Sequence, residues 1–450
     1  MSKIKTFFDC SGCGYKTPKW LGCCPECNEW NTFVQQEEHK FVAASKGAGN
    51  LQMVQLSQAV SFEKKRISSS FNEWDRVLGG GLIPGSFLIL TGDSGIGKST
   101  LLLQIAHDLA KSKKLFYFSS EESIAQVKHR FDRIVHEESQ MLFSDEGNLD
   151  AIIATCETQK PEIVIIDSIQ NCYFTQTQQI MSGTVGQLRE AGFRLMRLAK
   201  ENNITVIVTG HITKEGQIAG PKTLEHMVDA VFYLQGEDQL NIRVLRSVKN
   251  RFGSVNEIGF FEICSEGLRE VPNINQQLLQ NVSYAPGSVL ISCFEGSRPL
   301  LLELQALIIP SKFGVPQRVI TGVDHKRVIL ISAILEKYLQ VKFSSHDIFF
   351  KVSGGFMVKE SSADLGIALA LLSSFFQLAL PAKSISLGEI SLTGQIKPTN
   401  NISMHISEAQ KFGIEQIFIS RGQKIEKGSY EVNHFSNVYE LLKVFSEGNV

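Results

Sequence analysis

Apolar residues along the chain fall into short runs and longer periodic stretches, and the two alternate. From about residue 57 to 271, runs rich in Val, Ile, Phe and Tyr predict strands at Leu88–Thr91, Lys114–Ser119, Glu162–Asp167, Thr205–Gly210, Ala230–Leu234 and Asn241–Val248, with helix-like segments between them. Several runs are almost continuously apolar. That suits strands buried on both faces of a mostly parallel sheet covered by helices, an α/β fold. Residues 272–286, rich in Pro, Asn and Gln, break the pattern and mark a domain boundary. New strand and helix signals from 287 to 450 predict a separate α+β domain. Its longest apolar run, Leu365 to Leu380, is short for a membrane span and carries Ser373, Ser374 and Gln377, so it reads as a buried helix. Residues 35–56 are polar and small, and read as a linker behind a module of residues 1–34.

Length and composition agree with this division. A chain of 450 residues exceeds one ordinary core, and 43% hydrophobic with 20% charged residues is a globular composition. The formal charge of −1 gives no global basic footprint, so any contact with nucleic acid falls to a local patch. The first residues lack the long apolar core of a signal peptide. Five of the nine cysteines fall between residues 10 and 27, which points to a metal site in a reducing compartment and not to a disulfide framework. Cys10, Cys13, Cys24 and Cys27 form two C-x2-C knuckles that can place four thiolates around Zn²⁺. The C-P-x-C register favours Cys24 over Cys23, which is left free or able to substitute. A module this small cannot bury enough apolar surface to fold alone, and four cysteines leave no open coordination position, so the metal is structural.

The chemistry concentrates at Gly92-Asp93-Ser94-Gly95-Ile96-Gly97-Lys98-Ser99-Thr100. The fragment fits G-x-x-x-x-G-K-[ST] between a strand-like and a helix-like run, the context a phosphate-binding loop requires. Its glycines let backbone N–H groups turn inward around phosphate oxygens, and the following helix adds the positive end of its dipole. Lys98 reaches the β- and γ-phosphates, and Ser99 holds Mg²⁺. Downstream, Asp167 ends an apolar strand and would complete the Mg²⁺ shell beside Ser99. Glu121 and Glu122 end the preceding strand run. Glu121 is the choice for general base, with Glu122 close behind, and an ordinary helix N-terminal carboxylate is the plain alternative for either.

His211, at the end of a further strand, could sense the γ-phosphate or be an ordinary strand-end residue. Residues 213–223 are Gly-rich and carry Lys214 and Lys222, and read as a mobile loop. In Ser247-Val-Lys249-Asn250-Arg251-Phe252-Gly253, an extended backbone points Lys249 and Arg251 to one side. The pair could reach a γ-phosphate held by a neighbouring subunit, or form an exposed basic strand end.

Taken together, Cys10–Cys27, Asp75–Gly85, the loop at 92–100, Ser119–Ser123, Asp167–Gln170, Gly210–Gly216 and Lys249–Gly253 resemble the bacterial RadA (Sms) family of DNA-repair proteins. The resemblance covers essentially the whole chain. It implies a zinc module, a RecA-like P-loop ATPase core and a C-terminal Lon-protease-like α+β domain. It further implies a cytoplasmic, hexameric, ATP-driven motor on single-stranded and branched DNA, working with RecA recombinase in branch migration, with no membrane partner. Lys249 and Arg251 would then act in trans, and loops near 172–187 and 213–223 would contact DNA. In the Lon-like domain Ser362 falls at the nucleophile position, but Ser403 stands where the partner lysine is expected, and Lys397 is out of register. A serine without an adjacent base is a weak nucleophile, so the domain reads as a scaffold with a basic surface for duplex DNA. The competing readings are an ATP-gated Lon-like protease and a nucleotide-switched DNA-binding scaffold.

Overall fold

A computed structural model describes residues 6–10, 16–25, 29–37, 65–175, 183–211, 221–237, 241–312 and 314–446. The chain divides into two compact units, one of residues 1–235, 245–255 and 263–270, the other of 236–244, 256–262 and 271–450.

The N-terminal segment forms a small antiparallel ribbon of β1 (Thr6–Cys10), β2 (Lys16–Thr17) and β3 (Phe33–Glu37), in the order β2-β1-β3. Its buried cluster is Cys10, Cys24 and Phe33, with Phe8 against it. Strand β3 runs three residues beyond position 34, and residues 38–64 lie outside the described residues, as do Cys13 and Cys27.

The first unit begins with α1 (Asn72–Leu78) and β4 (Phe87–Gly92), followed by α2 (Lys98–Ala110), β5 (Leu115–Ser119), α3 (Ile124–Ile134) and β6 (Leu142–Ser144). Then come α4 (Leu149–Gln159), β7 (Ile163–Asp167), α5 (Val185–Asn202), β8 (Thr205–His211), α6 (Pro221–Met227) and β9 (Ala230–Glu237). The chain continues through β10 (Ile242–Asn250), β11 (Ile258–Cys264) and β12 (Gly267–Glu270). The sheet order is β12-β11-β10-β9-β4-β8-β7-β5-β6. Strands β4 to β9 pair in parallel, and β4, β5 and β7 are buried along their whole length, as their unbroken apolar runs require. Helix α2 packs on β4 and β5, and α5 on β4 and β8. The register pairs Ser119 with Asp167 and Gly92 with His211, so the carboxyl ends of β4, β5, β7 and β8 lie along one edge. Ligands of open α/β sheets bind at that edge.

The second unit holds α7 (Ile274–Leu279), β13 (Ser288–Glu295), β14 (Arg298–Pro310), β15 (Arg318–Thr321), α8 (His325–Leu339), β16 (His346–Val352) and α9 (Asp364–Phe376). It continues with β17 (Ser384–Leu387), β18 (Glu389–Ile390), β19 (Ile396–Lys397), α10 (Ile402–Lys411), β20 (Gln416–Ser420) and β21 (Glu431–Phe435). Its main sheet is mixed, in the order β15-β16-β14-β13-β17-β20-β21. The long apolar run is α9, buried from Asp364 through Ser374. Its two serines replace water for the backbone: Ser373 Oγ accepts from the Gly287 N–H at 2.8 Å, and Ser374 Oγ from the Ile308 N–H at 2.9 Å. The 272–286 stretch is folded too. Buried Asn275 donates to the Pro299 carbonyl at 3.0 Å and accepts from the Leu301 N–H at 2.9 Å.

Candidate nucleotide site

The loop from β4 to α2 is built on glycines with positive φ: 151° at Gly92, 76° at Gly95 and 110° at Gly97. A Cβ on Gly92 would fall 2.2 Å from the Leu234 carbonyl oxygen of β9, so only glycine fits there. Gly97 is the N-cap of α2 and supplies no side-chain cap, which leaves the N–H groups of the first turn pointing at an anion position. The Lys98 ammonium is buried and donates to the carbonyls of Gly92 at 2.9 Å and Asp93 at 2.8 Å. Burial pushes its pKa down, while Asp167, Glu121 and Asp93 pull it up, in that order. Asp167 and Glu121, at the ends of neighbouring strands, thus share the electrostatic surroundings of the loop lysine.

Asp167 is buried, with a hydroxyl on each oxygen: Thr209 of β8 donates at 2.6 Å and Tyr117 of β5 at 2.8 Å. Tyr117 stacks on Phe143, and burial together with the Asp167 charge holds its phenol well above the usual range. Glu121 accepts from Ser168 Oγ. Ser120 fastens the backbone of Ser168 from both sides, donating to its carbonyl at 2.6 Å and accepting from its N–H at 3.1 Å. Glu122 is engaged elsewhere, in an ion pair with Arg130 of α3. The structure thus separates the two adjacent glutamates, one facing the loop and the other tied to its own helix.

The edge beside the loop is closed by β12. The Gln104 amide grips both backbone groups of Leu268, accepting at 2.9 Å and donating at 3.2 Å, and a Cβ on Gly97 would lie 3.1 Å from Leu268. Tyr117, Ser168, Thr209 and Gln104 were not singled out from the sequence. Only their place within or just after strands of the sheet, or one helical turn past Thr100 for Gln104, could have marked them.

Lys249 and Arg251 lie together at the end of β10, but not beside the loop of their own chain. The Arg251 N–H donates to the Asp229 carbonyl at 3.0 Å, and the Asp229 N–H donates to the carbonyl of Phe87, the first residue of β4, at 2.8 Å. Gly92 ends β4 five residues later, roughly 17 Å away at strand rise. The Lys249 ammonium donates to the carbonyls of Glu225 and Val228, and its pKa is lowered by burial and then by the Arg251 charge. Arg251 pairs with Asp229 at 3.4 Å. The backbone between them is fixed: Asn250 accepts from the Phe252 N–H at 2.9 Å, Arg66 donates to the Phe252 carbonyl at 2.6 Å, and Gly253 abuts Gly79.

His211 stands opposite Gly92 in the sheet register. Residues 176–182 and 212–220, including Lys214, lie outside the described residues, and Lys222 is described in backbone only. In the ribbon Cys10 and Cys24 are buried and Cys23 is half-buried. In the second unit Ser362 Oγ donates to Glu360 at 3.3 Å, Ser403 is exposed on α10, and Lys397 faces Glu389 at 3.8 Å.

Three family models match the chain: an AAA domain over residues 55–217, a subunit ChlI of Mg-chelatase over 313–423, and a rubredoxin metal-binding domain over 8–35. The DNA repair protein RadA of Aquifex aeolicus is 39% identical over 99% of this chain and 100% of its own length. That of Listeria monocytogenes is 42% identical over 94% of both chains, and that of Streptococcus pyogenes serotype M3 is 42% identical over 99% and 100%. Among solved structures, the RadB recombinase is 21% identical over 45% of this chain and 99% of its own, at a TM-score of 0.34.

Proposed function

This chain belongs to the DNA repair protein RadA family, and from that premise we propose that it is a DNA-dependent ATPase motor of recombinational repair. It works as a hexameric ring in the cytoplasm, driving branch migration on single-stranded and branched DNA together with RecA recombinase. The observation that carries the ring is the place of Lys249 and Arg251. They stand at the end of β4 opposite the loop at Gly92, too far to serve the nucleotide of their own chain.

In this reading the amides of 93–100 and Lys98 bind the phosphates of ATP. The oxygen donors Ser99 and Asp167 suit a hard divalent cation, and Asp167 keeps lone pairs beyond those its two hydroxyls use. Mg²⁺ bound there neutralises charge developing on the phosphates. Glu121 takes the proton of the attacking water, held by Ser168 at the edge of the loop. Lys249 and Arg251 of a neighbouring subunit stabilise the γ-phosphate as it leaves. The ribbon holds Zn²⁺ through Cys10, Cys13, Cys24 and Cys27. The Lon-like domain is a scaffold, a reading supported by the bond from Ser362 to a carboxylate and by serine at position 403.

The test is a mixing experiment. Lys98→Ala and Arg251→Ala chains should each lose ATP turnover by at least about 100-fold. Mixed in equal amounts, each supplies what the other lacks, so turnover recovers toward about a quarter of the wild-type sites by random assortment. No recovery, or a rate indifferent to single-stranded DNA, would overturn the proposal.

A further inference from the structure

Asp229 is a buried carboxylate, 5% exposed, at the turn into β9, and it is placed among three donors. Lys200, in the last turn of α5, donates to one oxygen at 2.5 Å, and the Phe87 N–H donates to the same oxygen at 3.0 Å. Arg251 holds the other oxygen at 3.4 Å, with its own side chain 56% exposed.

The three partners differ in how easily they can leave. The Phe87 N–H is part of the sheet. Lys200 is close and is carried on a long, well-anchored helix. Arg251 is the most distant, the most exposed, and points out from the end of β10. A buried carboxylate stripped of its only counterion is strongly destabilised. Asp229 escapes that penalty, because Lys200 and the amide stay in place when Arg251 departs. Lys249 is held by two neutral carbonyls, which it can exchange for another acceptor without stranding a charge. The two cations also repel each other, and an anion brought between them relieves the repulsion.

We propose that Asp229 is the holding residue of Arg251: it keeps the guanidinium on its own chain until a neighbouring subunit presents a γ-phosphate, and Lys200 makes the release reversible. The proposal rests on the trans role of Arg251 given above and adds the groups that regulate it. Asp229 is a positioning residue, acting on the nucleotide only through Arg251.

Two variants around the one carboxylate should move in opposite directions. Asp229→Asn keeps an oxygen for the Phe87 N–H but releases Arg251, so ATP-dependent self-assembly, followed by mass photometry, should tighten about two- to fivefold, the strength of a long ion pair whose arginine is exposed. Lys200→Met leaves Arg251 as the one ion-pair partner of Asp229 among the described residues, so assembly should weaken by a similar factor. Neither variant should move the concentration dependence measured with ADP. In an Arg251→Ala background both effects should vanish. A residue with only a structural role would shift both variants the same way, with either nucleotide and in either background, and that result overturns the proposal. So does weaker assembly of Asp229→Asn that leaves its melting temperature unchanged. If Arg251→Ala alone leaves ATP-dependent assembly and turnover unaltered, the trans reading itself has failed, which is a separate outcome.

Discussion

At the residue scale, the neighbouring Glu121 and Glu122 show what a sequence can and cannot tell. Both end the same strand run, and their order sets Glu121 only narrowly ahead of Glu122. The structure ranks them through Arg130, eight positions on, which pairs with Glu122, while Ser168 holds Glu121 beside the loop lysine. A Glu121→Gln variant should therefore lose turnover by about 10²-fold or more with ATP affinity retained, whereas Glu122→Gln should lose little. Equal losses in single-turnover and binding measurements would reverse the assignment. His405 carries a different prediction. It is 1% exposed, its Nδ1 lies 2.8 Å from Ser292 Oγ, and its ring rests against Phe294. Burial pulls its pKa down to about 4. The folded value lies below the unfolded one of about 6.5, so the unfolded chain binds more protons between the two. The stability contributed by neutral His405 is full above about pH 6.5 and is lost as the pH falls toward 4, by on the order of 3 kcal/mol. Denaturant unfolding of the wild type and His405→Leu across that window should give curves whose difference flattens above neutrality.

At the scale of elements, legibility followed burial. The six strand runs read from the sequence reappear within a few residues, and the clearest of them, β4, β5 and β7, are covered on both faces and so continuously apolar. Three strands of the same sheet escaped. β6 has three residues with none buried, β12 has four with two buried, and β11 passes from four buried residues to three half-buried or exposed ones, so none carries a clean period. The site divided the same way. The loop glycines declare themselves, but the Tyr117 and Thr209 hydroxyls on Asp167 depend on which strands are neighbours, and the order β4-β8-β7-β5 is not a local property. The loop also shows that its glycines are not equivalent. Gly92→Ala would drive a Cβ into the backbone of β9, so nucleotide binding should be abolished and the melting temperature lowered. At Gly95 nothing lies within 4 Å, so Gly95→Ala meets only the strain of its φ, about 1–2 kcal/mol, and a folded protein with weakened ATP binding is expected. In the second unit, Ser374→Ala should destabilise by about 1–3 kcal/mol, because it strands the buried Ile308 N–H. Calorimetry on the three variants separates these causes.

At the scale of the whole molecule, the N-terminal ribbon differs in kind from everything after it. The sheets of both units rest on large apolar clusters, while among the described residues the ribbon's apolar cluster is Cys10, Cys24 and Phe33, with Phe8 partly covered. Two of those three are cysteines, so even this small core is made largely of candidate ligands. Burial of so little apolar surface cannot offset the backbone entropy of ordering some thirty residues, of order 1 kcal/mol each. With the proposed Zn²⁺ site, metal–thiolate bonding would supply the difference, and the free energy of binding would then be the folding free energy of the ribbon. Chelation should therefore unfold this module alone. Amide hydrogen exchange at residues 6–10, 16–25 and 29–37 should lose its protection, while β4 to β8 keep theirs and a fluorescent ATP analogue still binds. Re-addition of Zn²⁺ should restore protection with release of protons, since the thiols must ionise to bind. Protection of the ribbon that survives complete metal removal would mean that contacts elsewhere in the protein, and not the cysteines, hold it together.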